Sequence, residues 1–228
     1  MTKKLLLTFA LLCAVAQGVW AGERGDVYIR SASDLIHVRN NWGSYCNSNI
    51  YLEADLDMGY WTTMGNNGGS ITEFKGVFYG NGHTIRFDIT GYSDYQGFIA
   101  RIGSGGRVQD LHVSGSISSN ERLVGGIAGE NQGTIINCWV SANVSSSWTS
   151  GSSYTAKVGG ITGENNAGVV YYCCMSGNVE NNDADVGGLV GYSSANSAIE
   201  HCTFYGNRWS SHSQDNIYVG DNRGRLYA

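Results

Sequence analysis

VGGIAGEN, starting at Val124, returns as VGGITGEN at Val158 and as VGGLVGYS at Val186. Each copy is followed by a second shared run: IINCWVSANV (Ile135 to Val144), VYYCCMSGNV (Val170 to Val179) and IEHCTFYGN (Ile199 to Asn207). A period of about 30 residues marks a stack of similar supersecondary units rather than one ordinary globular fold. Looser copies lie upstream, in QGFIARIGSGGRVQDLHVSGSI (Gln96 to Ile117) and FKGVFYGNGHTIRFDI (Phe74 to Ile89). They align Phe98 with Ile127, Val108 with Ile135, Leu111 with Cys138 and Val113 with Val140.

Within a unit the pattern has period two. Cys138 and Val140 alternate with Asn137 and Trp139, Met175 follows Cys173 by two, and Phe204 follows Cys202 by two. Such alternation over a few residues predicts short strands with one buried face. Paired glycines open each unit, where the chain turns or backbones approach closely. The predicted fold is all-β: a single-stranded parallel β-helix with a helix-containing N-terminal cap. Each strand then pairs with its equivalent one coil on, roughly 4.8 Å away. The 33 glycines and the absence of proline agree, because every interior strand needs its amides. With 42% apolar and 11% aromatic residues, disorder is a poor alternative.

Residues 1–21 resemble a secretory leader: Lys3 and Lys4, an apolar run from Leu5 to Val15, and the small-residue cleavage pattern Val19-Trp20-Ala21. The run is too short to span a membrane. The mature chain is expected to begin at Gly22 and to be extracellular, surface-bound or periplasmic. The net charge of −5 becomes more negative once Lys3 and Lys4 leave, which argues against nucleic acid or an anionic membrane as partner. Residues 22–73 read as a cap and first coil, 74–207 as the repeats, with units near 124–144, 158–179 and 186–207, and 208–228 as a closing segment. In the cap, Ser31 or Ser33 starts a short helix with Leu35, Ile36 and Val38 inward. Ile50, Leu52, Ala54, Leu56 and Met58 alternate as a first strand. Ile217, Tyr218 and Val219 are expected to form a last one. Cys138, Cys173 and Cys202 share a column whose upstream member is Leu111, which predicts buried free thiols. Bridging between neighbours is the alternative, and with Cys46 and Cys174 the mature count is odd.

GGIAG, GGITG and GGLVG resemble the GLUG repeat, and IRSASDL, YLEADLDM, WTTMG and FKGVFYGNGHTI match the pattern around such repeats. Thr63 stands where that pattern has proline. The resemblance covers nearly the whole mature chain. It implies a right-handed parallel β-helix outside a bacterial cytoplasm, as in filamentous-haemagglutinin-like adhesins and the accessory region of IgA-cleaving metallopeptidases. It assigns no catalytic residue.

No HExxH, GxSxG or Walker loop is present, no cofactor is expected, and the chain is expected not to be an enzyme. Glu130 and Glu164 occupy equivalent positions and stack about 5 Å apart across coils, a spacing suited to calcium or a retaining glycosidase. The plainer reading is a recurring turn whose carboxylates face solvent. No metal is expected, and this pair is the candidate if one binds. The outward columns carry the binding expectation. One holds Asp110, Asn137, Tyr172 and His201, another Gln109, Ile136, Tyr171 and Glu200, and a third His112, Trp139, Cys174 and Thr203. His112, Trp139, Tyr171, Tyr172 and His201 form an aromatic-polar strip suited to sugar rings or a protein surface. Trp148, in the loop Ser145 to Ala156 with Tyr154, covers or joins it. The expected role is therefore adhesin-like, binding a glycan or a protein of a host or neighbouring cell. The alternatives are a polysaccharide-degrading enzyme, favoured by a groove lined with Asp, Glu, Lys or Arg, and an assembly component.

Overall fold

The computed structural model describes residues 25–149, 155–210 and 218–227. The chain winds into a parallel β-solenoid of about six turns. Sheet A has eight strands in the order Val27–Ile29, Asn49–Leu52, Val77–Tyr79, Arg107–Gln109, Thr134–Ile136, Val169–Tyr171, Ala198–Glu200 and Arg225–Tyr227. Sheet B runs from Leu56–Tyr60 through Thr84–Gly91 and His112–Ser119. In later coils it splits into paired short strands such as Trp139–Val140 with Asn143–Ser146, and Thr203–Phe204 with Arg208–Trp209. Sheet C stacks Ile99–Ile102, Ala128–Asn131, Thr162–Asn165, Val190–Ser193 and Val219–Asn222. Sheet D is a narrow strip of Leu123–Gly125, Ala156–Gly159 and Ala184–Gly187.

The register follows the alignment of the repeats. On sheet A, Phe78, Val108, Ile135, Val170 and Ile199 pair in succession, each with no exposed surface. On sheet B, Ile85, Val113, Val140, Met175 and Phe204 form the matching inward column. Each such side chain contributes about 1.5–3 kcal/mol by leaving water, so the interior columns carry the fold. At the cap end the interior is aromatic: Trp61, Phe74, Phe78, Phe87 and Phe98 are fully buried. Further along, Leu111 is continued by Cys138, Cys173 and Cys202, three buried free thiols in one column. Burial and the neighbouring sulfurs push the Cys173 and Cys202 thiols far above their ordinary range. The second glycine of each pair has a packing reason. A Cβ on Gly126 would lie 2.5 Å from the Gly160 carbonyl oxygen, and one on Gly160 2.3 Å from that of Gly188.

The cap departs from expectation in detail. Helix α1 (Ala32–Asn40) is N-capped by Ser31, whose hydroxyl accepts from the Asp34 amide at 3.3 Å. Leu35 and Val38 are buried, but Ile36 is exposed; the buried third position is Asp34, which accepts the Arg30 amide at 2.9 Å. Helix α2 (Trp42–Tyr45) follows directly. The stretch Ile50 to Met58 is not one strand. Asn49–Leu52 belongs to sheet A and Leu56–Tyr60 to sheet B, with a corner between, because a coil must turn while the period-two pattern runs on. Val219 begins a strand, Val219–Asn222, but the last strand is Arg225–Tyr227 on sheet A; Ile217, with residues 1–21, Tyr154 and His212, lies outside the described residues. Among the described residues, no helix is long and apolar enough to cross a membrane.

Candidate functional site

The outward side of sheet B is a lattice set by the register. In its third to sixth coils, one column reads His112, Trp139, Cys174, Thr203. Two residues on stand Ser114, Ser141, Ser176 and Tyr205, then Ser116, Asn143, Asn178 and Asn207, then Ser118, Ser145, Glu180 and Trp209. The face is thus a field of short hydroxyls and amides with rings at its borders. Asn207 Nδ2 donates to Asn178 Oδ1 at 3.1 Å, and the Asn178 amide donates to Asn143 Oδ1 at 3.0 Å, so the amide column is internally ordered.

His112 and Trp139 stack with centroids 4.3 Å apart and planes 6° from parallel. Trp139 Nε1 donates to Ser176 Oγ at 2.9 Å, and both His112 nitrogens are engaged, with Thr84 Oγ1 at 3.0 Å and Ser141 Oγ at 2.9 Å. Partial burial pushes the imidazole toward its neutral form, against a smaller opposing pull from Asp55. The corner between sheets A and B is a column of left-handed residues: Asp110 (φ 54°), Asn137 (φ 51°), Tyr172 (φ 50°) and His201 (φ 53°). Asp and Asn adopt that region readily, whereas Tyr172 and His201 do so at a cost. Their rings stack at 5.0 Å, and Tyr171 closes on Tyr172 at 4.2 Å, which offsets part of that strain.

The expected strip therefore falls on three columns: His112 with Trp139 on sheet B, Tyr172 and His201 at the corner, and Tyr171 at the end of a sheet A strand. Trp148 is not with them. It lies beyond the far end of Asn143–Ser146, half-buried against the core, with its carbonyl accepting from Asn181 Nδ2 at 3.2 Å. Tyr205 (74% exposed) and Trp209 (54% exposed) share the sheet B face and were not among the expected residues. Their signal was present in the alignment, where they stand two and six positions after Thr203 on the outward phase.

Glu130 and Glu164 are register partners on sheet C, but the expected solvent-facing carboxylates are not found. Glu130 is buried and accepts from Arg101 Nε at 2.7 Å, Gln132 Nε2 at 2.7 Å and Asn166 Nδ2 at 3.0 Å. Glu164 pairs with Lys157 Nζ at 2.8 Å. The reason is that the Arg101 stem on the preceding coil and Lys157 on sheet D each place a cation over the column. Among the described residues, no group of three His, Cys, Asp or Glu side chains is placed to hold a metal ion. Between sheets C and D lies a groove of about 500 Å³ whose lining includes Lys157, Glu164, Asp185, Tyr192, Asp221 and Arg223. Lys157 Nζ sits 4.0 Å from the Tyr192 ring centroid.

No curated protein matches the sequence. The crystal structure of a protein described as a "putative immunoglobulin A1 protease from Bacteroides ovatus" resembles this one with a TM-score of 0.64 at 22% identity. The match covers 87% of this chain and 72% of that one. At that identity the likeness is one of fold. The name nevertheless corrects the expectation that the chain is not an enzyme, which rested on missing motifs alone, and that expectation is withdrawn. Residues 182–207, which hold the third copy of the repeated phrase, match the GLUG motif, and the chain that carries it is a parallel β-solenoid.

Proposed function

We propose that this is an exported protein that binds glycans through the outward face of sheet B. The observation that supports this reading is the exposed set Trp139, Tyr205 and Trp209 around a flat field of serine and asparagine side chains. Sugar rings stack on aromatic faces through their C–H surfaces and hydrogen-bond through hydroxyls, and this face offers both at fixed spacing. Tyr205 and Trp209 are four residues apart along one coil, at most about 13 Å if the chain between them were fully extended, a reach suited to more than one sugar ring. The test is a glycan-array screen of the chain from Gly22 beside a Trp139→Ala, Tyr205→Ala, Trp209→Ala variant. Binding to one glycan class that the variant loses is the expected result. Absence of glycan binding by folded protein sinks the reading and moves the face to a protein partner, and binding unchanged in the variant moves the site elsewhere.

A second reading, cleavage of a polysaccharide, is favoured by the groove between sheets C and D. It brings Glu164, Asp185 and Asp221 beside Lys157, Arg223 and Tyr192, groups able to exchange protons with a bound chain. Incubation with polysaccharides and with immunoglobulin A1 tests it. Release of reducing ends that Glu164→Gln abolishes supports it. Proteolysis instead would extend to this chain what the Bacteroides protein's name says.

A further inference from the structure

At the cap end, on the ridge Trp61-Thr62-Thr63, two cavities share Thr62, Thr63 and Asn66. The larger, about 410 Å³, lies between the end of α1 and the antiparallel hairpin Asn66–Asn67/Ser70–Ile71, and Arg39, Asn40, Asn67 and Thr72 help to line it. The smaller, about 190 Å³, is flanked by Tyr60, Thr90, Tyr92, Ser93 and Gln96. The two exposed rings, Tyr60 (67%) and Tyr92 (74%), rise beside it.

No acidic side chain lines either lobe, in a chain whose net charge is −5. Arg39 is the one cation there, and it differs from Arg30, Arg86, Arg101, Arg122 and Arg223, each of which sits on a carboxylate. Its guanidinium is held 4.9 Å from the Trp61 ring centroid and donates Nε and Nη2 to Asn40 Oδ1, at 3.2 and 3.1 Å. Among the described residues no carboxylate pairs with it. A guanidinium has five donor hydrogens in a planar fork suited to a carboxylate, so Arg39 is fixed in place with capacity to spare. Around it are neutral amides and hydroxyls.

We propose that this cleft binds an acidic saccharide, with a uronate carboxylate on Arg39, ring hydroxyls on Asn40, Thr62 and Asn67, and the next sugar against Tyr60 or Tyr92. The site is separate from the sheet B face and does not depend on that face binding anything. Neutral sugars lack the group Arg39 would take. Bare anions lack the hydroxyls that the amides would take.

Titration calorimetry of the full chain with an oligogalacturonate and with its methyl ester tests the assignment. Esterification removes the charge and keeps the rings. The acid is expected to bind at least about tenfold more tightly than the ester, with an affinity that falls as salt rises, as for a charge-assisted pair. Arg39→Gln is expected to lose about tenfold. Because Arg39 also covers Trp61, near-ultraviolet dichroism checks the fold of that variant. Asn67→Asp, on the exposed hairpin, places a like charge in the cleft and is expected to weaken the acid by a similar factor without touching the core. The Trp139→Ala, Tyr205→Ala, Trp209→Ala variant is expected to bind as the parent does. The site is overturned by equal affinity for acid and ester, or by no saturable heat at millimolar ligand. It is equally overturned if folded Arg39→Gln and Asn67→Asp bind normally, or if the face variant loses the acid.

Discussion

Gly115→Ala is expected to lower the unfolding free energy by roughly 3–5 kcal/mol, the sum of positive-φ strain and overpacking against backbone. Gly115 sits in the middle of His112–Ser119, with Phe87 as its register partner on the preceding coil. Its φ is 111°, a region L-residues rarely occupy. A Cβ there would lie 2.0 Å from the Phe87 carbonyl oxygen and 2.8 Å from its carbonyl carbon. Both neighbours are backbone of a paired strand, so no rotamer change relieves the overlap, and coils two and three would have to separate locally. Gly105→Ala is the control: φ is 84°, but nothing lies within 4 Å of the added carbon. It tests the dihedral strain alone, expected at about 1 kcal/mol. Urea unfolding of both variants and the parent decides the matter. If Gly115→Ala falls within about 1 kcal/mol of Gly105→Ala, the close approach of the two coils has no energetic weight.

Register was the most legible part of this molecule, for a physical reason. In a parallel solenoid each residue pairs with its own equivalent, so aligning the repeats is the same act as reading the sheet. Val108 with Ile135 and Val170, or His112 with Trp139 and Cys174, could be paired from sequence because burial forces the same residue type into each inward position. The thiol column was legible through Leu111 on the same logic. Where repetition stops, legibility stops too. Ile36 looked inward because helical periodicity alone cannot tell that Asp34, with the Arg30 amide to satisfy it, takes the buried place. The corner at Glu53 to Asp55 was hidden because alternation continues through a bend. Tyr172 and His201 could be placed in an outward column, but not in left-handed backbone, since neither residue type signals it. The burial of Glu130 was illegible because its partner Arg101 belongs to a looser, earlier copy of the repeat and Asn166 to a later one. The cleft around Arg39 joins a helix end, a corner and a hairpin, none of them repeated.

Glu130→Gln is expected to cost about 2–4 kcal/mol, as for a buried ion pair that loses one partner, far more than the same change at its register partner Glu164. The two glutamates look interchangeable in the repeat, yet their surroundings differ. The Glu130 side chain is 5% exposed and Arg101 21%, so water does little to screen their pairing at 2.7 Å. Arg101 is held further by Tyr95, whose hydroxyl accepts Nη2 at 2.8 Å, and by Glu73 at 3.4 Å. Burial opposes the charge of Arg101, and Glu130, Tyr95 and Glu73 together more than restore it, so its pKa rises above the ordinary arginine value. An amide at position 130 keeps the shape but leaves that cation short of one counter-charge, the change that is most expensive for a buried pair. It also turns two acceptor oxygens into one, so Gln132 and Arg101 then compete for partners or face an amide donor. Glu164 is more open: its side chain is 16% exposed and that of Lys157 23%, and the lysine head keeps its contact with the Tyr192 ring if the carboxylate goes. Glu164→Gln is therefore expected to cost about 1 kcal/mol or less, as for partly solvated pairs. Denaturant midpoints of the two variants at one salt concentration measure the difference. Equal losses would mean that the stacked carboxylates act as one unit. A Glu130→Gln protein as stable as the parent would mean that the Arg101 charge is balanced without Glu130.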